Sequence, residues 1–228
     1  MPPLVTVVTP VLDDADAAAA LMAQMPPNDD LEVIVVDGGN DASLDRLVAR
    51  HPRARLIRTE SGRSHQMNVG AAGAAGEWLL FVHADSRLPE DWFRWFTNLS
   101  PDVAGGWFRF AIADSAWQAR LIERMVAWRV KWLQLPYGDQ GLFVRAHIFR
   151  SHGGFNDIPV LEDVEYIRRL VKTGHVVELP IRLHTSSRRW RRDGWFRRSA
   201  LNATIVALYF AGVSPARLAS WYRSNARE

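Results

Sequence analysis

The chain has no cysteine, which excludes disulfides and thiolate zinc sites and leaves its redox compartment undetermined. It has no apolar run approaching the ~18–20 residues that cross a bilayer, so no spanning helix is expected. The opening residues MPPLVTVVTPV carry neither a basic segment nor a small-residue cleavage site, so no secretory leader is expected. Lysine is scarce: the 28 basic residues are nearly all arginine, and against 25 acids they leave a net charge of only +3. So small an excess does not argue for a nucleic-acid partner. Internal repeats, linkers and low-complexity segments are also missing. What remains is a 228-residue chain, 48% hydrophobic, with enough apolar material for one large core. Its ten tryptophans are unusual, and several stand beside arginine.

The rest of the chain is organised around residues 77–89, EWLLFVHADSRLP. The apolar run 78–82 reads as a strand buried on both faces, and it stops abruptly at His83-Ala84-Asp85. Open α/β sheets bind ligands at the carboxyl edge of such strands. Asp85 there either caps the turn or holds a hard divalent cation against a diphosphate. Residues 4–9, 31–36 and 54–58 are further strands, separated by helices at 15–25 and 42–50. That alternation means parallel βαβ units in a doubly wound sheet. A third crossover helix falls within 61–76, where Gly70, Gly73 and Gly76 mimic a phosphate loop. The segment lacks Gly-Lys-Ser/Thr and follows the wrong strand for a dinucleotide fingerprint, so close packing of helix on sheet explains the glycines better. Its polar head, Arg63 and Gln66, points towards the edge that carries Asp37 and Asp85, where Arg63 can face an anion.

Beyond residue 89 the rhythm changes: a helix at 91–99, a strand at 105–112, a long helix at 117–133, a turn entering a strand at 138–145, a helix at 164–172 and a strand at 175–179. In the long helix Trp117, Leu121, Met125, Trp128 and Trp132 form one apolar stripe, flanked by Arg120, Arg124 and Lys131. We expect that stripe to pack on the core; the alternative is a helix lying on a membrane surface. Residues 187–198, SRRWRRDGWFRR, hold six arginines interrupted by two tryptophans, a composition that suits anion or headgroup binding. An apolar helix at 201–210 and an amphipathic end at 215–223 follow.

PVLDD (10–14), VVDGGND (35–41), GRSHQMNVGAAGAAG (62–76), LLFVHADSRLP (79–89), GDQGLFVR (138–145), GGFNDIPVLED (153–163) and SSRRW (186–190) occur in an order that resembles the family 2 glycosyltransferases of the GT-A fold. The chain looks most like the small bacterial subfamily associated with arsenosugar biosynthesis or with radical-SAM and selenium proteins. The resemblance implies a doubly wound, mainly parallel α/β sheet with helices on both faces. It also implies one domain: a nucleotide-binding half (1–100), an acceptor half (101–185) and an Arg/Trp-rich helical extension (186–228). The activity implied is inverting, metal-dependent transfer of a sugar from a nucleotide-diphosphate donor to a small or lipid-linked acceptor. It implies that Pro10, Val11, Asp13 and Asp37 bind the nucleoside, with Arg63, Gln66 and Ala84 nearby. Asp85, the last residue of a degenerate DXD motif whose first position is His83, would hold Mg²⁺ or Mn²⁺, with His184 as a further ligand. Asp163 would be the general base, and Glu162 would orient it or contact the acceptor. Asp139 and Gln140 would face sugar or acceptor; Arg189 and Trp190, matching the RW of the QxxRW motif, would bind the donor, Arg189 at its diphosphate. With Ser186 where processive relatives carry glutamine, polymer synthesis is not expected. A cytoplasmic protein, peripheral to the membrane at most, is implied. Two rivals remain: a nucleotidyltransferase, which TPVLDDADA does not suit because it lacks a Gly-rich Arg/Lys loop, and a membrane-surface binding module on a decayed transferase fold, against which Asp37, Asp85 and Asp163 all survive.

Overall fold

A computed structural model describes residues 3–226, with side chains as far as Tyr222. Its β-branched runs form as their composition dictates. β1 (Val5–Val11), β2 (Leu31–Asp37), β3 (Ala54–Arg58) and β4 (Trp78–Phe81) pair in parallel in the order β3-β2-β1-β4. The crossovers are α1 (Ala15–Met22), capped by the Asp14 side chain, α2 (Ser43–Val48) and α3 (Arg63–Ala72). Alternate strand residues feed two cores. Val7, Val33 and Leu80 point into one, and Val8, Ile34 and Leu79 into the other. Burial on both faces is why these strands read as unbroken apolar runs. A methyl group on Gly70 would lie 2.5 Å from Val8 Cγ1 and 2.9 Å from Val36 Cγ2, so this glycine lets α3 settle on the sheet.

The second half of the sheet is mixed. β7 (Leu142–Arg145) runs antiparallel between β4 and β6 (Val103–Ile112). β6 pairs in parallel with β8 (His175–Thr185), and the two-residue β5 (Ser86–Arg87) closes the edge. The full order is β3-β2-β1-β4-β7-β6-β8-β5. β8 therefore continues past residue 179, where the sequence reading ends it. The register shifts between Phe108 and Arg109 opposite Pro180-Ile181, and this irregularity accommodates the proline. Residues 91–99 form a tighter 3₁₀ turn, Trp92–Asn98, rather than an α-helix; Trp92 and Phe96 meet edge to face in the core.

The helix α4 (Trp117–Leu133) has the expected bounds but the opposite orientation. Its buried side is Ala119, Ile122, Val126 and Val130, packed with Trp107, Phe110 and Ile112 of β6. The large stripe expected in the core is exposed: Trp117 by 64%, Trp128 by 62% and Trp132 by 65%. At 100° per residue the two stripes lie on opposite faces, and the smaller side chains let helix and sheet approach more closely. The remaining helices are α5 (Ala146–Ser151), α6 (Glu162–Thr173), α7 (Arg188–Asp193), α8 (Trp195–Phe210) and α9 (Pro215–Ala226). The arginine-rich run becomes α7 and the start of α8, and most of its charges meet this chain's own acids. Arg188 pairs with Asp14 (3.0 Å), Arg191 with Asp114 (2.5 Å), and Arg192 (2.6 Å) and Arg198 (3.3 Å) with Asp193. Trp190 is buried against Phe110. Arg188–Asp14 and Arg191–Asp114 tie the segment to the body, while the two Asp193 pairs lie within it. Among the described residues no helix is long and apolar enough to cross a membrane.

Candidate active site

Where β4 stops, His83-Ala84-Asp85 turns over the sheet edge, closed by the Ser86 N–H donating to the His83 carbonyl at 3.1 Å. A cavity of about 340 Å³ opens there, and Arg63, His83, Asp85, Asp139, Asp163 and Arg189 line it. Each except the His83/Asp85 pair comes from a different segment. Arg63 begins α3, Asp139 sits in the 3₁₀ turn Gly138–Gln140, Asp163 opens α6 and Arg189 belongs to α7. Trp190 is also in the wall, and α8 and α9 supply a roof that includes Arg198, Asn202 and Tyr222.

Local backbone geometry aims Asp163. Leu161 adopts a left-handed conformation (φ 65°) immediately before α6, which is uncommon for a branched residue and is often found where function holds it. The turn places Glu162 and Asp163 at the helix N-terminus, where the dipole favours carboxylates. Asp163 Oδ2 accepts from the Gly138 N–H at 2.5 Å and Oδ1 from the Val164 N–H at 2.8 Å. A methyl group on Gly138 would lie 2.8 Å from Asp163 Oδ2 and 3.3 Å from His83 Nε2, so a larger residue there would displace the Asp163 carboxylate. Glu162 is almost wholly buried and pairs with Arg63. Burial works against the Arg63 charge, but Glu162 and then Asp163 outweigh it and raise the guanidinium's pKa.

Burial, reinforced by Arg63 and Arg189, pushes His83 down to about 3. Its imidazole is therefore neutral at neutral pH. Burial pushes Asp139 up to about 6; Asp163 adds to the effect and Arg129 opposes it. One Asp139 oxygen is shielded from solvent and has no hydrogen-bond partner. Asp85 also makes no hydrogen bond or ion pair among the described residues. The donor set suits Mg²⁺ or Mn²⁺: an unengaged carboxylate and a neutral imidazole two residues apart, facing a pocket with three guanidiniums. No three His, Cys, Asp or Glu among the described residues are grouped to hold a metal alone. Magnesium is commonly held by one or two carboxylates, substrate phosphates and water.

His184 does not join Asp85. Thr185 lines the cavity, and strand alternation turns His184 to the other face, near Glu123, Arg182 and Arg120, where burial lowers its pKa. Pro10, Val11, Asp13, Asp37 and Gln66 gather at the adjoining edge of β1 and β2, outside this cavity. Asp37 is fully buried and accepts from the N–H groups of Gly39 (2.9 Å) and Asp41 (3.2 Å), with Arg58 at 3.6 Å. It shapes the turn beside which Asp13, itself left-handed (φ 52°), projects. Gln66 donates to the carbonyls of Val11 (2.9 Å) and Val36 (2.8 Å) and so ties β1 to β2. Gln140 accepts from Tyr137 N–H and donates to the Phe108 carbonyl, while Ala84 packs on the core below. Both glutamines are buried and hold backbone. His83, Tyr137, Asn202, Arg198 and Tyr222 were not expected as site residues. Only His83 carried a signal, its place at the end of the organising strand.

Because Asp139 titrates near 6 when folded, against 3.8 unfolded, its contribution to stability is full below about pH 3.8 and lost as pH rises through about 6. Asp139→Asn is expected to be more stable than wild type by about 1–2 kcal/mol at pH 7, with the gap closing towards pH 4. Urea melts at the two pH values check this.

The architecture is similar to that of mannosyltransferase PcManGT from Pyrobaculum calidifontis, solved in complex with GDP-Man and Mn²⁺. The TM-score is 0.68 and the identity 20%, over 99% of this chain and 70% of that one. It is also similar to S. aureus TarS 1–349: with UDP, TM-score 0.61 at 13% identity over 80% of this chain and 60% of that one; and in a second TarS 1–349 structure, 0.64 at 13% identity over 97% and 71%. At these identities the likeness shows the fold. No curated protein sequence matches the chain significantly. The sequence model described as Glycosyl transferase family 2 matches residues 15–147, more than half of the chain and a span that holds Asp37, Asp85 and Asp139. The protein belongs to glycosyl transferase family 2 and is a glycosyltransferase.

Proposed function

We propose that the enzyme moves a sugar from a nucleoside-diphosphate donor to an acceptor hydroxyl with inversion, assisted by a divalent cation. The observation that supports this reading is the convergence of three carboxylates (Asp85, Asp139, Asp163) and three guanidiniums (Arg63, Arg189 and, in the roof, Arg198) on one cavity at the sheet's carboxyl edge. Asp163 takes the acceptor proton as that oxygen attacks the anomeric carbon, and the bond to the diphosphate breaks on the opposite side. Two backbone N–H groups hold the Asp163 carboxylate in place for this. Arg63 and Arg189 stabilise the charge that accumulates on the departing diphosphate. Glu162 acts through Arg63 as a positioning residue. Asp85, with His83 two residues before it, would hold Mg²⁺ or Mn²⁺, which when bound would supply Lewis-acid stabilisation of that diphosphate. Asp139 receives a hydroxyl of sugar or acceptor. The nucleoside lies over the β1 and β2 edge, against Asp13 and the turn held by Asp37. The acceptor is a small molecule or a lipid, and the protein works in the cytoplasm. The arsenosugar or selenium-associated assignment rests on the order of motifs alone.

Calorimetric titration with nucleoside diphosphates, with and without Mn²⁺, tests the reading; GDP and UDP come first, because the similar structures hold GDP-Man and UDP. One nucleotide is expected to bind only with the metal, and about tenfold or more weakly in Asp85→Ala. Binding of none, in any condition, would sink the proposal. The anomeric configuration of the product, read by NMR, tests inversion.

A further inference from the structure

A second hollow, of about 450 Å³, lies between α4 and α8, and it shares Tyr137, Asp139, Trp190 and Asn202 with the cavity just described. Its remaining lining is largely apolar and includes Phe110, Ile122, Met125, Val126, Trp128 and Ala203. The boundary between the two is where the shielded, unpartnered Asp139 oxygen sits. A polar reaction chamber thus continues directly into a greasy groove.

The groove opens on the exposed face of α4. Met125 and Trp128 line it and belong to the outward stripe with Trp117, Leu121 and Trp132. Phe196, half-exposed at the start of α8, packs tilted against Trp117, with ring centroids 6.0 Å apart, and widens the patch. So many large apolar side chains on one face are unusual on a surface bathed only by water. Tryptophan favours the headgroup level of a bilayer, where its ring is half apolar and half polar. Arg124 and Lys131 border the stripe and are exposed. The one acid of α4, Glu123, is turned away and paired with Arg120 at 2.8 Å. This face is complementary to an anionic apolar surface, such as a bilayer containing acidic lipids.

We infer that the acceptor is an amphiphile drawn from a lipid bilayer: its hydrocarbon chain fills the α4–α8 groove, and its hydroxyl reaches past Asp139 to Asp163. The inference rests on the transferase reading, and it assigns the acceptor class and the surface from which the enzyme works.

Two measurements on the full chain test it. Co-sedimentation with vesicles of phosphatidylcholine and phosphatidylglycerol in equal parts should pellet wild type at low salt. Trp128→Ser with Trp132→Ser should weaken partitioning about tenfold or more. A photoactivatable long-chain alcohol in those vesicles should label peptides containing 110, 122–128 and 199–203. Ala203→Trp, which fills the groove, should suppress that labelling. Failure to pellet, or labelling spread over the surface and unchanged by Ala203→Trp, would overturn the inference. So would a dimer in solution that Trp128→Ser dissolves, since a second copy would then cover the face. Nucleoside-diphosphate titration on the same preparations separates the two readings. Retained nucleotide binding without lipid engagement sinks only the acceptor assignment, and it also shows that each variant is folded.

Discussion

Asp163→Asn is expected to lower kcat by about 10³-fold while donor-nucleotide affinity stays within about twofold of wild type. The amide has nearly the shape of the carboxylate and its oxygen can still accept from Gly138 or Val164, so α6 should start as before. It cannot take a proton at neutral pH. Single-turnover measurements with saturating donor separate this loss from slow product release. A variant that retains more than about a tenth of wild-type kcat would move the general-base role elsewhere in the cavity, with Asp139 the next carboxylate to test.

The second large effect joins stability to catalysis. Arg63→Met leaves Glu162, 1% exposed, without its cation. Removing one partner from a buried pair strands the other charge, and about 3 kcal/mol of destabilisation is expected because Arg63 itself is partly exposed. For a chain of this size that lowers the melting midpoint by roughly 6–12 °C. Adding Glu162→Gln should restore most of the stability, since a neutral amide tolerates the site better than an unpaired carboxylate. It should not restore the rate, because the guanidinium proposed to face the diphosphate is still missing. If Arg63→Met melted like wild type, the pair would contribute nothing to the fold. If the double variant also regained activity, Arg63 would have no part in leaving-group stabilisation.

Much of this arrangement is legible in the residues. The βαβ rhythm through β4 follows from β-branched runs, Asp14 capping and the glycines of α3, all local signals. Asp85, Asp139, Asp163 and Arg189 could be named because their motifs keep an order that a known family shares. The failures have a common physical origin, which is that the deciding partner is distant in sequence. α4 carries apolar stripes on opposite faces, and periodicity has no means of choosing between them. The choice is made by how closely Ile122, Val126 and Val130 fit under β6. Gln66 and Gln140 look like ligand-binding amides until the carbonyls of Val11, Val36 and Phe108 are brought beside them. His184 falls on the wrong face because β8 runs past Pro180 in a register set by β6. The roof residues of α8 and α9 gave no warning, since an amphipathic helix does not announce what it will cover.

That roof has a consequence for how the enzyme comes into being. Arg63, Asp85, Asp139, Asp163 and Arg189 span most of the chain, and Tyr222 lies near the end of the described residues. Synthesis runs from the N-terminus, and the parallel half, built from local βαβ units, can form while the rest is still being made. The wall contributed by α8 and α9 emerges only after the whole sheet and α1–α6 have been made. A nascent chain therefore holds Asp85 in open solvent until the extension closes over it. On the proposed reading, a donor bound before Asp163 and Arg189 are in place meets neither the general base nor the second guanidinium, so the unfinished chain lacks the groups that would spend it.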